Sequence, residues 1–143
     1  MAVQVRYAIV VGRFYEELAD RLVASATRVF EEAGADSIDV FDVPGAFELP
    51  LAALLAAQTG RYTGIACLGA VIRGETNHYD YVCAEAARGI QDVGLRTGVP
   101  CGFGLLTVEN MDQALARTGD KRDQGADAAH AVLALARVRA ELA

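Results

Sequence analysis

Tryptophan is absent from this chain, histidine occurs only twice, and no polybasic stretch exists. A nucleic-acid groove needs grouped cations with stacking aromatics, so no nucleic-acid partner is expected. Basic residues are also the minority, 13 Lys and Arg against 19 Asp and Glu, for a net charge of −6. The global field therefore repels an anionic ligand, and any such ligand must be held by local positive groups. Three cysteines occur, Cys67, Cys83 and Cys101, an odd number with no CxxC spacing. They read as buried, reduced thiols in a cytosolic protein. A catalytic thiol is the minority reading, because Cys83 lies off the helical face of His78. No His, Cys and carboxylate set stands at metal-ligand spacing, and no metal is expected. The longest apolar run, Ile65 to Ile72, falls far short of a membrane span. Met1 to Arg6 carries no signal-peptide pattern. The expectation is a cytoplasmic protein with no membrane partner.

What the chain does have is apolar material. Its 143 residues make one ordinary domain, 1–143, and are 53% hydrophobic and 22% charged. That apolar share is high for so small a domain, so some of it is expected to be covered by another subunit. Strand and helix signals alternate from end to end. Tyr7 to Val11 reads as a buried strand. Leu18, Leu22, Ala26, Val29, Phe30 and Ala33 mark a helix that Gly34 stops. Ser37 to Val43 reads as a second strand ended by Pro44-Gly45. A second helix is expected from about Phe47 to Thr59, with Leu51, Leu54 and Leu55 as its buried stripe and Pro50 in its first turn. Ile65 to Ile72 is apolar on both parities, as in a central parallel strand. A helix from His78 to Thr97 follows, with Tyr79, Val82, Cys83, Ala86, Ile90 and Val93 inward. Cys101 to Leu106 reads as a fourth strand, Met111 to Arg117 as a short helix and Gln124 to Leu142 as the last. The alternation predicts an α/β fold: a three-layer α/β/α sandwich on a four-stranded parallel sheet, with flavodoxin-like order 2-1-3-4.

In such folds ligands bind beyond the carboxyl ends of the strands, and the unusual residues of this chain gather there. Phe14 follows a Gly turn and can stack on a flat heterocycle, or pack on its own helix. Glu48 stands at a helix start, where it can cap the helix or accept hydrogen bonds from a base-like ligand. His78 opens a helix beside free N–H groups that suit an anion. The helix dipole there disfavours the imidazolium, which suits proton transfer on a phosphorylated small molecule. His130 reads as structural or solvent-facing. Arg117, Lys121 and Arg122 form a solvated surface or a phosphate site; Arg117 is the best candidate for a forked contact to phosphate oxygens. The Gly74-Glu75-Thr76 backbone could serve the same phosphate.

Four segments, taken in order, resemble the lumazine synthase family. They are Gly12-Arg13-Phe14, Val43 through Glu48, Gly69 through Val82, and Gly104 through Asn110 with Arg117 behind it. The resemblance implies condensation of 5-amino-6-(D-ribitylamino)uracil with 3,4-dihydroxy-2-butanone 4-phosphate, the penultimate step of riboflavin synthesis, without cofactor. It implies that Phe14 stacks on the pyrimidine. Ala46, Phe47 and Glu48 would hold the uracil and ribityl chain, with Ala70, Val71 and Ile72 along the ring. Glu75, Thr76 and Arg117 would hold the phosphate, and His78 would move protons. Phe103, about 3 residues before the end of its strand and so roughly 10 Å from its own loops, would serve a neighbouring subunit's site. The implied assembly is a homopentamer, with riboflavin synthase as a further partner. The alternative is a flavin- or lumazine-binding or cage-forming paralogue with little turnover. The chain departs from the family pattern at Tyr15, where Asn is common, and in a short N-terminal arm. The loop Gly119 to Gly125 is also shorter, with Gln124 where a Lys is usual.

Overall fold

A computed structural model describes residues 3–143. Met1 and Ala2, at the start of the segment read for a signal peptide, lie outside the described residues. Four parallel strands, β1 (Arg6–Gly12), β2 (Ser37–Val43), β3 (Gly64–Ile72) and β4 (Cys101–Val108), form one sheet in the order β2-β1-β3-β4. The helices are α1 (Glu16–Glu32), α2 (Leu49–Gln58), α3 (His78–Thr97), α4 (Met111–Ala116) and α5 (Gln124–Leu142). This is the expected sandwich and strand order. Ile9, Val11, Ala66, Leu68, Leu106 and Val108 face α1 and α5, where Leu18, Leu22, Phe30 and Val132 meet them. Ala8, Val10, Ile65, Cys67 and Leu105 face α2 and α3 on the other side. Strand β3 thus loses water from both faces, which is why its apolar run shows no alternation.

Gly34 and Gly98 follow α1 and α3 with φ of 88° and 73°, the left-handed conformation that lets a helix stop without a Cβ clash. Helix α5 lies close on the sheet because glycine lines its path. A Cβ on Gly102 would overlap the Ala128 carbonyl, and one on Gly125 would press into the backbone of Leu22.

Three expectations change. The second helix begins at Leu49, after a 3-10 turn over Ala46–Glu48. Pro50 has no N–H to donate, so the tighter turn precedes it. The buried stripe of α2 is Leu49, Ala53, Ala56 and Ala57, whereas Leu51 and Leu55 are 60% and 57% exposed. Alanines let the helix sit close to the sheet and α3, and this rotates Leu51 and Leu55 outward, whereas Leu54 stays partly buried against the core as expected. Finally, β4 runs on to Val108, paired with Ile72. Phe103 therefore stands 5 residues, roughly 16 Å, before the strand end.

The close approach of α5 to β4 yields a stability test. Gly102→Ala should lower the unfolding free energy by about 1–3 kcal/mol, because rigid backbone must move. Gly74→Ala, whose Cβ meets nothing within 4 Å, should stay within about 0.5 kcal/mol of the parent. Urea titration of both variants measures the contrast.

Candidate active site

Three loops leave the carboxyl ends of β1, β2 and β3 on the same sheet edge. The first two are forced together. A Cβ on Gly12 would lie 2.9 Å from the carbonyl carbon of Gly45, so the two loops touch only because Gly12 has no side chain. The Arg13 N–H donates to the Val43 carbonyl at 2.9 Å. The Arg13 guanidinium meets Asp42 at 2.8 Å and also pairs with Asp20, and these carboxylates hold it charged. The first loop is thereby tied to β2 and to α1.

Phe14 is 75% exposed at the tip of that loop. Tyr15 backs it edge-to-face, with centroids 4.9 Å apart, and is itself packed against the core. In the second loop Glu48 Oε1 accepts the Gly45 N–H at 3.0 Å. The capping role read from sequence is therefore real, and it fixes a carboxylate at the cleft rim. Phe47 beside it is exposed, while Ala46 is buried under the turn among the α2–α3 core residues.

The third loop ends at His78, the first residue of α3, whose side chain is exposed. Its N–H is bonded by Thr76 Oγ1 at 3.3 Å. Among the described residues the N–H groups of Gly74, Glu75, Thr76 and Asn77 have no partner within the chain. Such orphan donors ahead of a helix are suited to an anion.

A cleft of about 260 Å³ is lined by Phe14, Tyr15, Gly45, Ala70, Val71, Ile72, Gly74, Thr76, His78, Tyr79 and Val82. A second, open hollow adjoins it, lined by Gly45, Phe47, Glu48, His78, Tyr81 and Val82. Eight of the residues picked from sequence therefore border one continuous depression, with His78 at the join. Ala46 offers it no side chain, and Glu75 lies in the same loop outside its lining. Phe103 and Arg117 are elsewhere. Phe103 lies on edge strand β4, and its carbonyl accepts from Gln124 Nε2 at 3.0 Å. Arg117 caps the end of α4 and donates to the Gln113 carbonyl at 2.9 Å. Among the described residues no Lys or Arg lines the depression, and the nearby Arg13 and Arg73 are both paired with carboxylates.

Tyr81 was not picked from sequence. It stands three residues after His78, and that spacing on one helix face was the available signal. The thiols are less buried than expected, since only Cys67 is fully enclosed. Hydrogen bonding with Cys101 and burial push the Cys67 thiol up, and burial pushes up that of Cys83. Neither is a ready nucleophile. Among the described residues no three His, Cys, Asp or Glu side chains gather to hold a metal ion, and no helix is long and apolar enough to cross a membrane.

An exposed aromatic ring, a carboxylate and an imidazole, brought by three loops to the carboxyl edge of a parallel sheet, define an α/β protein with a depression of a kind that suits a small polar heterocycle. The sequence comparisons specify which kind. The family model for 6,7-dimethyl-8-ribityllumazine synthase matches residues 4–140. The 6,7-dimethyl-8-ribityllumazine synthase of Nitratidesulfovibrio vulgaris (strain DP4) is 46% identical over 140 residues, 96% of this chain and 90% of that protein. The enzyme of the same name from Salinibacter ruber is 45% identical over the same shares. The chain belongs to the 6,7-dimethyl-8-ribityllumazine synthase family.

Phe14 carries almost no folding role at its exposed tip. Phe14→Ala should leave the unfolding free energy within about 0.5 kcal/mol of the parent. Binding of a flat pyrimidine ligand, followed by calorimetry, should weaken by about 2–10-fold as the stacking partner is lost.

Proposed function

We propose that this chain, as a single domain over residues 1–143, condenses 5-amino-6-(D-ribitylamino)uracil with 3,4-dihydroxy-2-butanone 4-phosphate to give 6,7-dimethyl-8-ribityllumazine. One observation carries the reading: Phe14, Glu48 and His78, from three separate loops, border one depression in a chain that the family spans from residue 4 to residue 140. Phe14 stacks on the pyrimidine, and Ala70, Val71 and Ile72 form the apolar floor beneath it. Glu48, already oriented by the Gly45 N–H, has its second oxygen free for ligand N–H or hydroxyl groups. Phe47 and the backbone at Ala46 flank the ribityl chain. Glu75 and Thr76, with the unpaired N–H groups of 74–77, receive the phosphate.

The uracil amine attacks the ketone carbon, and water leaves to give an imine. Phosphate is then eliminated as a proton is lost from the neighbouring carbon. The enol so formed takes a proton at its terminal carbon and becomes a ketone, the second amine attacks that carbonyl to close the ring, and a further water departs. His78 accepts and returns the protons of these steps. Holding two reactants together supplies much of the rate, so the imidazole is an accelerator rather than a necessity.

The cleft lacks a free cation of its own, although a phosphate needs one. Arg117 and Phe103 are assigned to the site of an adjacent subunit in a homopentamer. Two apolar patches support such an assembly. Phe41, Leu51 and Leu55 are exposed by the β2 edge, and Leu95, Phe103, Leu135 and Val138 by the β4 edge. Unlike patches on opposite edges suit head-to-tail contacts, which close into rings. The protein acts in the cytoplasm, and riboflavin synthase, which consumes the product, is its partner.

Absorbance at the lumazine band, with both substrates supplied, tests the activity directly. In that assay His78→Ala should slow turnover by roughly 10–100-fold, at or below the low end of general acid–base effects. Complete loss in a folded, assembled variant would refute the positioning view. Inactive Arg117→Ala subunits co-assembled at random with His78→Ala subunits should recover activity at about a quarter of the sites if each site draws on two copies. No recovery in verified mixed assemblies would place Arg117 in its own chain's site.

A further inference from the structure

We propose that Arg73 is a positioning residue, which sets the first turn of α3, and with it His78, against the sheet. The inference deepens the synthase reading and rests on it. Arg73 follows the last residue of β3, and its N–H donates to the Val108 carbonyl at 2.9 Å. Its Cα is therefore held to β4 as well as to β3. From that anchor the guanidinium reaches three groups. Nε meets the two Glu109 oxygens at 2.8 and 3.1 Å, just past the end of β4. Nη2 donates to Asp80 Oδ1 at 3.2 Å. The cation also lies over the Tyr79 ring, 4.2 Å from its centroid. Tyr79 and Asp80 are the two residues after His78, so one side chain joins two strand ends to the turn that carries the imidazole.

Little else holds that turn. The N-cap residue Asn77 makes no side-chain cap, although a cap is the usual device at a helix start. The N–H groups of 74–77 are free, and the local ties are two: the His78 N–H donates to Thr76 Oγ1 at 3.3 Å and the Asp80 N–H to the Asn77 carbonyl at 3.1 Å. A ligand role for Arg73 fits poorly. The guanidinium is engaged by two carboxylates, and Arg73 does not line the cleft. A purely stabilising role fits poorly too, because half-exposed ion pairs contribute little to folding. Placement is where the geometry has leverage: a shift of about 1 Å in a reacting group can cost 100-fold in rate.

The test is a double-mutant cycle on the assembled enzyme, with wild type, Arg73→Met, His78→Ala and the double variant. Arg73→Met should lower kcat by about 10-fold with KM within about 3-fold of wild type. In the His78→Ala background the same change should lower kcat by less than about 2-fold, because the group it places is gone. Arg73→Lys, which keeps the charge but not the fork, should fall between. Equal losses in both backgrounds, or a loss confined to KM, would overturn the proposal. Should Arg73→Met fail to assemble, Arg73→Lys and Glu109→Gln run through the same cycle give the same comparison. A second readout is independent of turnover. Amide exchange over residues 78–82, the hydrogen-bonded part of the turn, should speed up in Arg73→Met while the rest of α3 is unchanged, and unchanged exchange there overturns the role. An inactive wild type with faster exchange in Arg73→Met would sink the synthase reading and leave the positioning role standing.

Discussion

The close approach of Gly12 to Gly45 is the contact on which the depression depends. With a side chain at Gly12, the first loop would have to lift away from the second. Phe14 would then no longer share a wall with Gly45, the residue through which the cleft at the ring adjoins the hollow at the carboxylate. The Arg13 bonds to Val43 and Asp42 hold the two loops in that contact from the outside. The third loop reaches the same edge because β3 pairs directly with β1. Parallel pairing with crossover helices leaves all carboxyl ends on one side, and the ligand edge follows from topology.

Small residues recur wherever two elements must come near. Alanines seat α2, and glycines seat α5 on β4 and α1. The same economy leaves large apolar side chains unused by the core. Leu51 and Leu55 on α2, and Leu135 and Val138 on α5, point outward instead. An isolated chain with this surface would be poorly suited to water. The surplus is best understood together with the cleft's missing cation and with the distance of Phe103 from its own loops. All three are what the proposed ring of subunits would account for.

Charge is arranged with similar restraint. The depression belongs to an acidic protein, and the arginines closest to it are spent on carboxylates. Arg13 braces the first loop and Arg73 the third. Both act as struts. The backbone N–H groups of 74–77 are the donors left unpaired beside the depression. Gln124 fits this scheme as a backbone clamp on Phe103 rather than as a cation.

Much was legible in the amino-acid order. Alternating periodicities named every strand and helix, and parity in Ile65 to Ile72 marked the central strand. The Gly-bracketed loops marked the edge where the depression lies, and the spacing around His78 placed it at a helix start. What periodicity could not show was which side of α2 faces inward. Leu and Ala are both apolar, and only the distance to the sheet decides between them. Nor could it show that Tyr81 and Glu48 share a hollow, or that Arg73 grips Tyr79, Asp80 and Glu109. Order along the chain determined the elements, their sequence and the residue types at their ends, because these depend on local periodicity and turn chemistry. Tertiary structure alone decided which of those ends touch and which large side chains are left outside, because both depend on how closely two backbones can approach.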